Sequence, residues 1–137
     1  MIPGKKLPAG LAAVAVAILS IGAADRVSAQ QRDAVRIGDT DLGGLVTGDH
    51  GPEAGVWVIA ETTDLPTRFA KIVVTDERGR YVMPDLPKAN YRVWVRGYGL
   101  VDSQKTRLAP GAHADLKAVP APDERAAAAY YLSLIHI

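Results

Sequence analysis

The chain has 137 residues, with 16 Lys and Arg against 15 Asp and Glu, 48% hydrophobic residues, 13 Gly, 9 Pro and no Cys. That length suits one small globular domain and leaves no room for two. A net charge of +1 excludes the basic field of a nucleic-acid binder and the composition of an acidic disordered tail, and the lack of Cys excludes a disulfide framework, a thiolate nucleophile, Cys-ligated zinc and a lipoprotein anchor.

Lys5 and Lys6 form a short positive segment, and the stretch from Leu7 to Ala24 is uncharged and rich in Ala, Val, Leu and Ile. Val27-Ser28-Ala29 then supplies small residues at the two positions a signal peptidase reads, which predicts a secretory signal over 1–29 cut between Ala29 and Gln30. An uncleaved anchor is the competing reading, since the run approaches the roughly 20 residues that span a bilayer. Pro8, Gly10 and Gly22 interrupt the run, which favours cleavage and a secreted or periplasmic protein with no stable membrane insertion afterwards. Without residues 1–29 the chain has 13 basic and 14 acidic residues and keeps all of its aromatic side chains.

Residues 30–37 read as a flexible segment, and from 38 to 119 short β-branched or aromatic runs alternate with turn clusters. The predicted strands are Gly43 to Thr47, Val56 to Glu61, Ala70 to Thr75, Arg80 to Met83, Tyr91 to Arg96, Lys105 to Leu108 and Ala114 to Val119. Their breaks have chemical causes: Asp49-His50-Gly51-Pro52 and Asp76-Glu77-Arg78-Gly79 offer side-chain acceptors and a Gly for positive φ, Pro84 and Pro87 remove ladder donors, and Ala109-Pro110-Gly111 is a turn in itself. Seven such strands predict an all-β domain, a sandwich of two antiparallel sheets with a Greek-key-like course. Its core is expected to hold Leu45, Val56, Val58, Val73, Tyr81, Leu86, Tyr91, Val93 and Val95.

Residues 120–131, Pro-flanked and then alanine-rich, read as a linker with a helical turn leading to a further domain. The last six residues, Leu132-Ser133-Leu134-Ile135-His136-Ile137, read as the in-frame translation of a sequencing-library transposon adapter, CTG TCT CTT ATA CAC ATC. A natural apolar tail is the alternative. On the adapter reading, the coding sequence was cut after about Tyr131.

No catalytic constellation is expected, and no metal or cofactor site. His50 and His113 stand alone without a His-x-x-Glu pattern. Ser103, His113 and Asp102 could only nominally form a triad, because adjacent strand residues point to opposite sides and no nucleophile elbow surrounds the serine. Asp39-x-Asp41-x-Gly43 begins like a calcium loop but has Gly at its third ligand position and His50 at its twelfth.

Strand alternation isolates one surface. If Tyr91, Val93 and Val95 face inward, Arg92, Trp94 and Arg96 face outward; if Val56, Val58 and Ala60 face inward, Trp57 and Ile59 face outward. Were the two strands to share a sheet, both tryptophans and the arginines would form an exposed aromatic and cationic patch. Three explanations stand: burial beneath loops or a shifted register, docking to a downstream domain, or a platform for a polysaccharide.

Gly44-Leu45-Val46-Thr47, Gly51-Pro52-Glu53-Ala54-Gly55-Val56-Trp57-Val58, Thr75-Asp76-Glu77-Arg78-Gly79-Arg80-Tyr81, Leu86-Pro87-Lys88-Ala89-Asn90-Tyr91-Arg92-Val93 and Arg96-Gly97-Tyr98 follow one another in an order and spacing that resembles the carboxypeptidase regulatory-like domain. The resemblance implies a prealbumin-like or carbohydrate-binding-like β-sandwich that serves as a non-catalytic accessory module of secreted proteins. It assigns structural roles to Gly44, Pro52, Gly55, Thr75, Asp76, Gly79, Tyr81, Leu86, Pro87, Tyr91, Gly97 and Tyr98, with Thr75 and Asp76 expected to hydrogen-bond back onto their own turn. Ala89 stands where the family usually has Gly. The stretches 55–61 and 91–103 further resemble the N-terminal module of bacterial secreted proteins in which a streptogramin-lyase-like β-propeller follows, so any catalysis would belong to that downstream domain.

Overall fold

The computed structural model describes Gly4 and residues 34–132, with side chains through Tyr130. The cleavage site at Ala29–Gln30 and residues 133–137 lie outside the described residues. Among the described residues there are ten strand segments and one helix: β1 Leu42–Gly48, β2 Gly51–Pro52, β3 Trp57–Thr62, β4 Phe69–Val74, β5 Arg80–Met83, β6 Tyr91–Arg96, β7 Leu100–Val101, β8 Thr106–Leu108, β9 Leu116–Lys117, β10 Val119–Pro120, and α1 Glu124–Leu132. Over the described residues the domain is therefore all-β, with one helix at its end. The segments over 80–83 and 91–96 match the sequence reading, whereas β2 and β7 were not expected and the expected 114–119 strand divides into β9 and β10.

Two four-stranded sheets contain eight of these strands. In one, β1 lies between neighbours, pairing antiparallel with β2 and β5 and parallel with β9; in the other the order is β4-β3-β6-β8. The parallel β1–β9 pair corrects the expectation of purely antiparallel sheets. It forms because the 112–118 segment runs alongside β1: Ala114 N donates to Gly43 O at 2.8 Å and Ala118 N to Thr47 O at 2.8 Å. Gly44 makes that approach sterically feasible, since a Cβ there would lie 1.9 Å from the Ala114 carbonyl oxygen.

The core is shared by both sheets. Leu42 and Val46 from β1, Tyr81 and Met83 from β5, Val58 and Ala60 from β3, and Tyr91, Val93 and Val95 from β6 are buried in one cluster with Val56, Leu86, Leu100, Leu116 and Ala118. Alternation with period two explains the β3 and β6 contributions. Leu45, expected in this core, is only half-buried, and its N–H donates to Asp115 at 2.9 Å; Leu42 and Val46 fill the place expected for it. Tyr81 and Tyr91 bury their rings and donate their hydroxyls to Ala114 O at 2.7 Å and Pro87 O at 2.6 Å. Burial raises both phenol pKa values above the ordinary one.

Two of the crossings between these sheets, β4 to β5 and β5 to β6, are made at turns. Asp76 Oδ1 accepts from Arg78 N and Arg80 N, both at 2.9 Å, and Gly79 has φ +73°, so the Asp-x-x-Gly cluster closes on itself as its residue types require. Arg80, and the backbone N–H groups it organises, hold the Asp76 carboxyl below its ordinary pKa. Thr75 behaves differently from expectation: its hydroxyl donates to Glu53 O at 2.7 Å and accepts from Val56 N at 3.1 Å, fastening the Glu53–Val56 corner rather than its own turn. In the second crossing the positive φ falls on Asp85, at 53°, and not on Ala89. Asp85 N donates to Asp41 Oδ1 at 3.2 Å, and Leu86 N to Thr40 O at 2.8 Å.

Candidate interaction surface

The two strands that carry the tryptophans are neighbours. In the β3–β6 ladder Trp57 faces Arg96, Ile59 faces Trp94, and Glu61 faces Arg92, all on the side of the sheet opposite the core. Five residues expected to be exposed there have different fates. Arg92 is exposed and Trp57 half-buried, but Ile59 is 0%, Trp94 2% and Arg96 6% exposed. The open aromatic and cationic patch is therefore not formed, and a sugar ring has no access to Trp94.

The covering material comes from the chain itself. After the Gly97–Leu100 turn the backbone returns along β6: Ser103 N donates to Val95 O at 3.1 Å, and Val95 N donates to Ser103 Oγ at 2.9 Å. This return brings Asp102 against Arg96, where Nε and Nη2 donate to the two carboxylate oxygens at 2.6 Å each. It also lays Lys105 Nζ 3.9 Å from the centroid of the Trp94 ring, a cation–π contact. The Asp102 carboxylate raises the Arg96 pKa against the opposing effect of burial. Trp94 Nε1 and Arg96 Nη1 are buried with no hydrogen-bond partner among the described residues.

Beside Trp94 lies a charge cluster that pattern reading missed. Glu61 is 5% exposed, and three cations reach it: Arg92 at 3.0 Å, Lys105 at 3.2 Å and Arg68 at 3.4 Å. Burial alone would raise its pKa, but Lys105 through a hydrogen bond and its charge, with Arg68 and Arg92, outweighs burial and holds the carboxyl below the ordinary value. The sequence signal was a Glu on the outer face of a strand whose partners bring in Arg92 directly and Arg68 from the neighbouring loop.

The candidate catalytic groups are engaged separately. Asp102 pairs with Arg96, Ser103 with the Val95 backbone, and His113 Nδ1 lies 3.1 Å from Gly43 O. Asp41 accepts from Gly38 N and Asp85 N, which lower its carboxyl pKa, and His50 is exposed in the β1–β2 turn. Among the described residues no group of three or more His, Cys, Asp or Glu is placed to hold a metal ion, and no helix is long and apolar enough to cross a membrane.

The most exposed large apolar side chains lie at two other places. On β4, Ile72 and Val74 are 46% and 56% exposed. At the far corner, Tyr98 is 92% exposed at the tip of the Gly97–Leu100 turn. There a cleft of about 600 Å³ is lined by Tyr98, Gly99, Ala121, Asp123, Ala127 and Ala128, among others. Two features build it. Ala121 N donates to Gly99 O at 2.9 Å, and Asp123 caps α1 by accepting from Ala126 N at 2.8 Å.

No family model matches the chain, and no curated protein matches it. Among solved structures the Bacillus anthracis TIE protein is similar, with 20% sequence identity and a TM-score of 0.45, over 59% of this chain and 16% of that one. A likeness of that size bears on neither activity nor partners.

Proposed function

We propose that residues 38–119 are a non-catalytic accessory module of a secreted or periplasmic bacterial protein, a Greek-key-like β-sandwich of the carboxypeptidase regulatory-like kind that holds a surface against an adjoining domain. The observation that carries this reading is the Tyr98 corner. The β-domain hands the chain to a helix that begins four residues after β10, and an apolar cleft remains open between that helix and the Tyr98–Gly99 turn. Capping by Asp123 fixes the exit direction of the chain, which an interdomain connection requires if the domains are to keep one orientation. The burial of Trp94 and the self-contained Asp102–Arg96 pair support a scaffold more than a ligand platform. The neighbour implied by the sequence resemblance is a lyase-like β-propeller, and catalysis would reside there.

The test begins with an independent determination of the coding sequence beyond Tyr131. In the longer protein, Tyr98→Ala and Ala127→Arg should leave the thermal midpoint of the β-domain unchanged while making the 119–124 connection cleavable by protease. A wild-type longer protein that is cut there as readily as the variants, or a reading frame that ends naturally at Ile137, overturns the proposal.

A further inference from the structure

Cross-strand partners share one face of their sheet, so the pairing of Glu61 with Arg92 and of Arg92 with Arg107 sets a row across β3, β6 and β8 on the side away from the core. Ala70 of β4 continues the row beyond Glu61, and Arg68 reaches Glu61 from the loop before β4. Lys105 reaches it from the segment before β8. Arg68, Arg92 and Lys105 each direct a donor at Glu61 and remain 66%, 55% and 43% exposed. Arg107 is exposed, and among the described residues no carboxylate pairs with it. Just before β6, Asp64 accepts from Asn90 N and Nδ2. Four cations thus stand against two carboxylates. Folding does not call for this arrangement, because like charges directly opposite destabilise a sheet and Arg92 and Arg107 are so placed. The same face of β6 also has donors in surplus: Trp94 Nε1 and Arg96 Nη1 meet no acceptor among the described residues.

We propose that the Arg92–Arg107 row binds an acidic polysaccharide through the carboxylates of its uronate units. This inference is independent of the accessory-module reading. Carboxylate is the anion that this face already receives, at Glu61, and a guanidinium fork matches it bidentately. From β4 to β8 the row crosses three strand spacings, about 14 Å, a length that suits a polymer charged on every unit better than a single ion. Its only apolar side chain is Ala70; the exposed Ile72 and Val74 lie on β4, two strands away from Arg92. A ligand of carboxylates and hydroxyls with little apolar surface fits that lining, whereas a bilayer or an acidic amphipathic helix would also engage the β4 side chains. Recognition is by charge at the surface and needs no access to the buried Trp94 ring.

Equilibrium binding of the full chain to polygalacturonate, with neutral dextran as the control, should be saturable for polygalacturonate alone and should weaken as salt shortens the Debye length from ~10 to ~3 Å. Arg107→Gln removes charge-assisted hydrogen bonds and should weaken binding by ~10-fold or more. Its thermal midpoint should stay level or rise, because the opposed charges are relieved. Ile72→Ser should bind as the wild type does. No binding, equal binding to dextran, or unchanged affinity in Arg107→Gln overturns the proposal. So does a lowered midpoint in that variant, lost affinity in Ile72→Ser, or tighter binding to phosphatidylglycerol vesicles or poly-glutamate.

Discussion

Replacing Trp94 with Ala measures how far the Asp102–Lys105 return seals the outer face of the sheet. The ring is 2% exposed, and truncating a buried Trp costs about 3–5 kcal/mol through lost contacts and the cavity left behind. The cation–π contact with half-exposed Lys105 adds about 0.5–1 kcal/mol to the loss. Removing the unpartnered Nε1 donor returns about 1–3 kcal/mol. The expected net destabilisation is about 3 kcal/mol, which for a domain of this size lowers the thermal midpoint by about 10–25 °C. Trp57→Ala, at a half-buried position, should cost about 1 kcal/mol. Urea denaturation followed by far-ultraviolet circular dichroism, which does not depend on the deleted fluorophore, compares the two. Equal costs for the two substitutions, within ~0.5 kcal/mol, would refute the inference that the return segment, and not the sheet alone, makes Trp94 part of the interior.

Three further outcomes follow from the same geometry. The Glu61 carboxyl is held below its ordinary pKa of 4.5, so its contribution is fully present above that value and is lost as pH falls through the lowered one; Glu61→Gln should cost about 1–2 kcal/mol at neutral pH and flatten the acid limb of a stability-against-pH curve. Asp102→Asn strands the 7%-exposed Arg96 guanidinium and should cost about 3 kcal/mol, much of it recovered in the Arg96→Met/Asp102→Leu double variant, as thermal melts would record. Gly44→Ala drives a Cβ into the Ala114 carbonyl and should prevent stable folding, whereas Gly51→Ala, with open space but φ +121°, should cost about 1–3 kcal/mol of backbone strain and still fold; proteolysis at graded urea concentrations separates the two.

The parts legible in the sequence are those fixed locally. Asp76 and Gly79 announce their turn because their own atoms make it, and strands 80–83 and 91–96 fall between turn residues that stop them. Alternation also sorted Val56, Val58, Ala60, Tyr91, Val93 and Val95 onto the core side. It could not say what lies over the other side. Trp94, Ile59 and Arg96 do project away from the core, but a sheet has two faces and period two distinguishes them without specifying what covers either. The cover depends on Asp102 and Lys105 meeting residues on β3 and β6, contacts that no local pattern encodes. Thr75 was misassigned for a related reason: its residue type suits a local turn, yet its partners Glu53 and Val56 lie about twenty residues upstream.

The parallel union of β1 with β9 sets a timetable as well as a shape. Val46 and Thr47 meet Leu116 and Lys117, so a strand made early is completed by residues made late. Until the ribosome has released the 112–118 segment, Leu42 and Val46 lack the Leu116 and Ala118 side chains that close their cluster. Such long-range closure delays productive folding relative to chains dominated by local contacts. The cooperative core therefore assembles only after nearly the whole domain has emerged, an order that would suit the export proposed above.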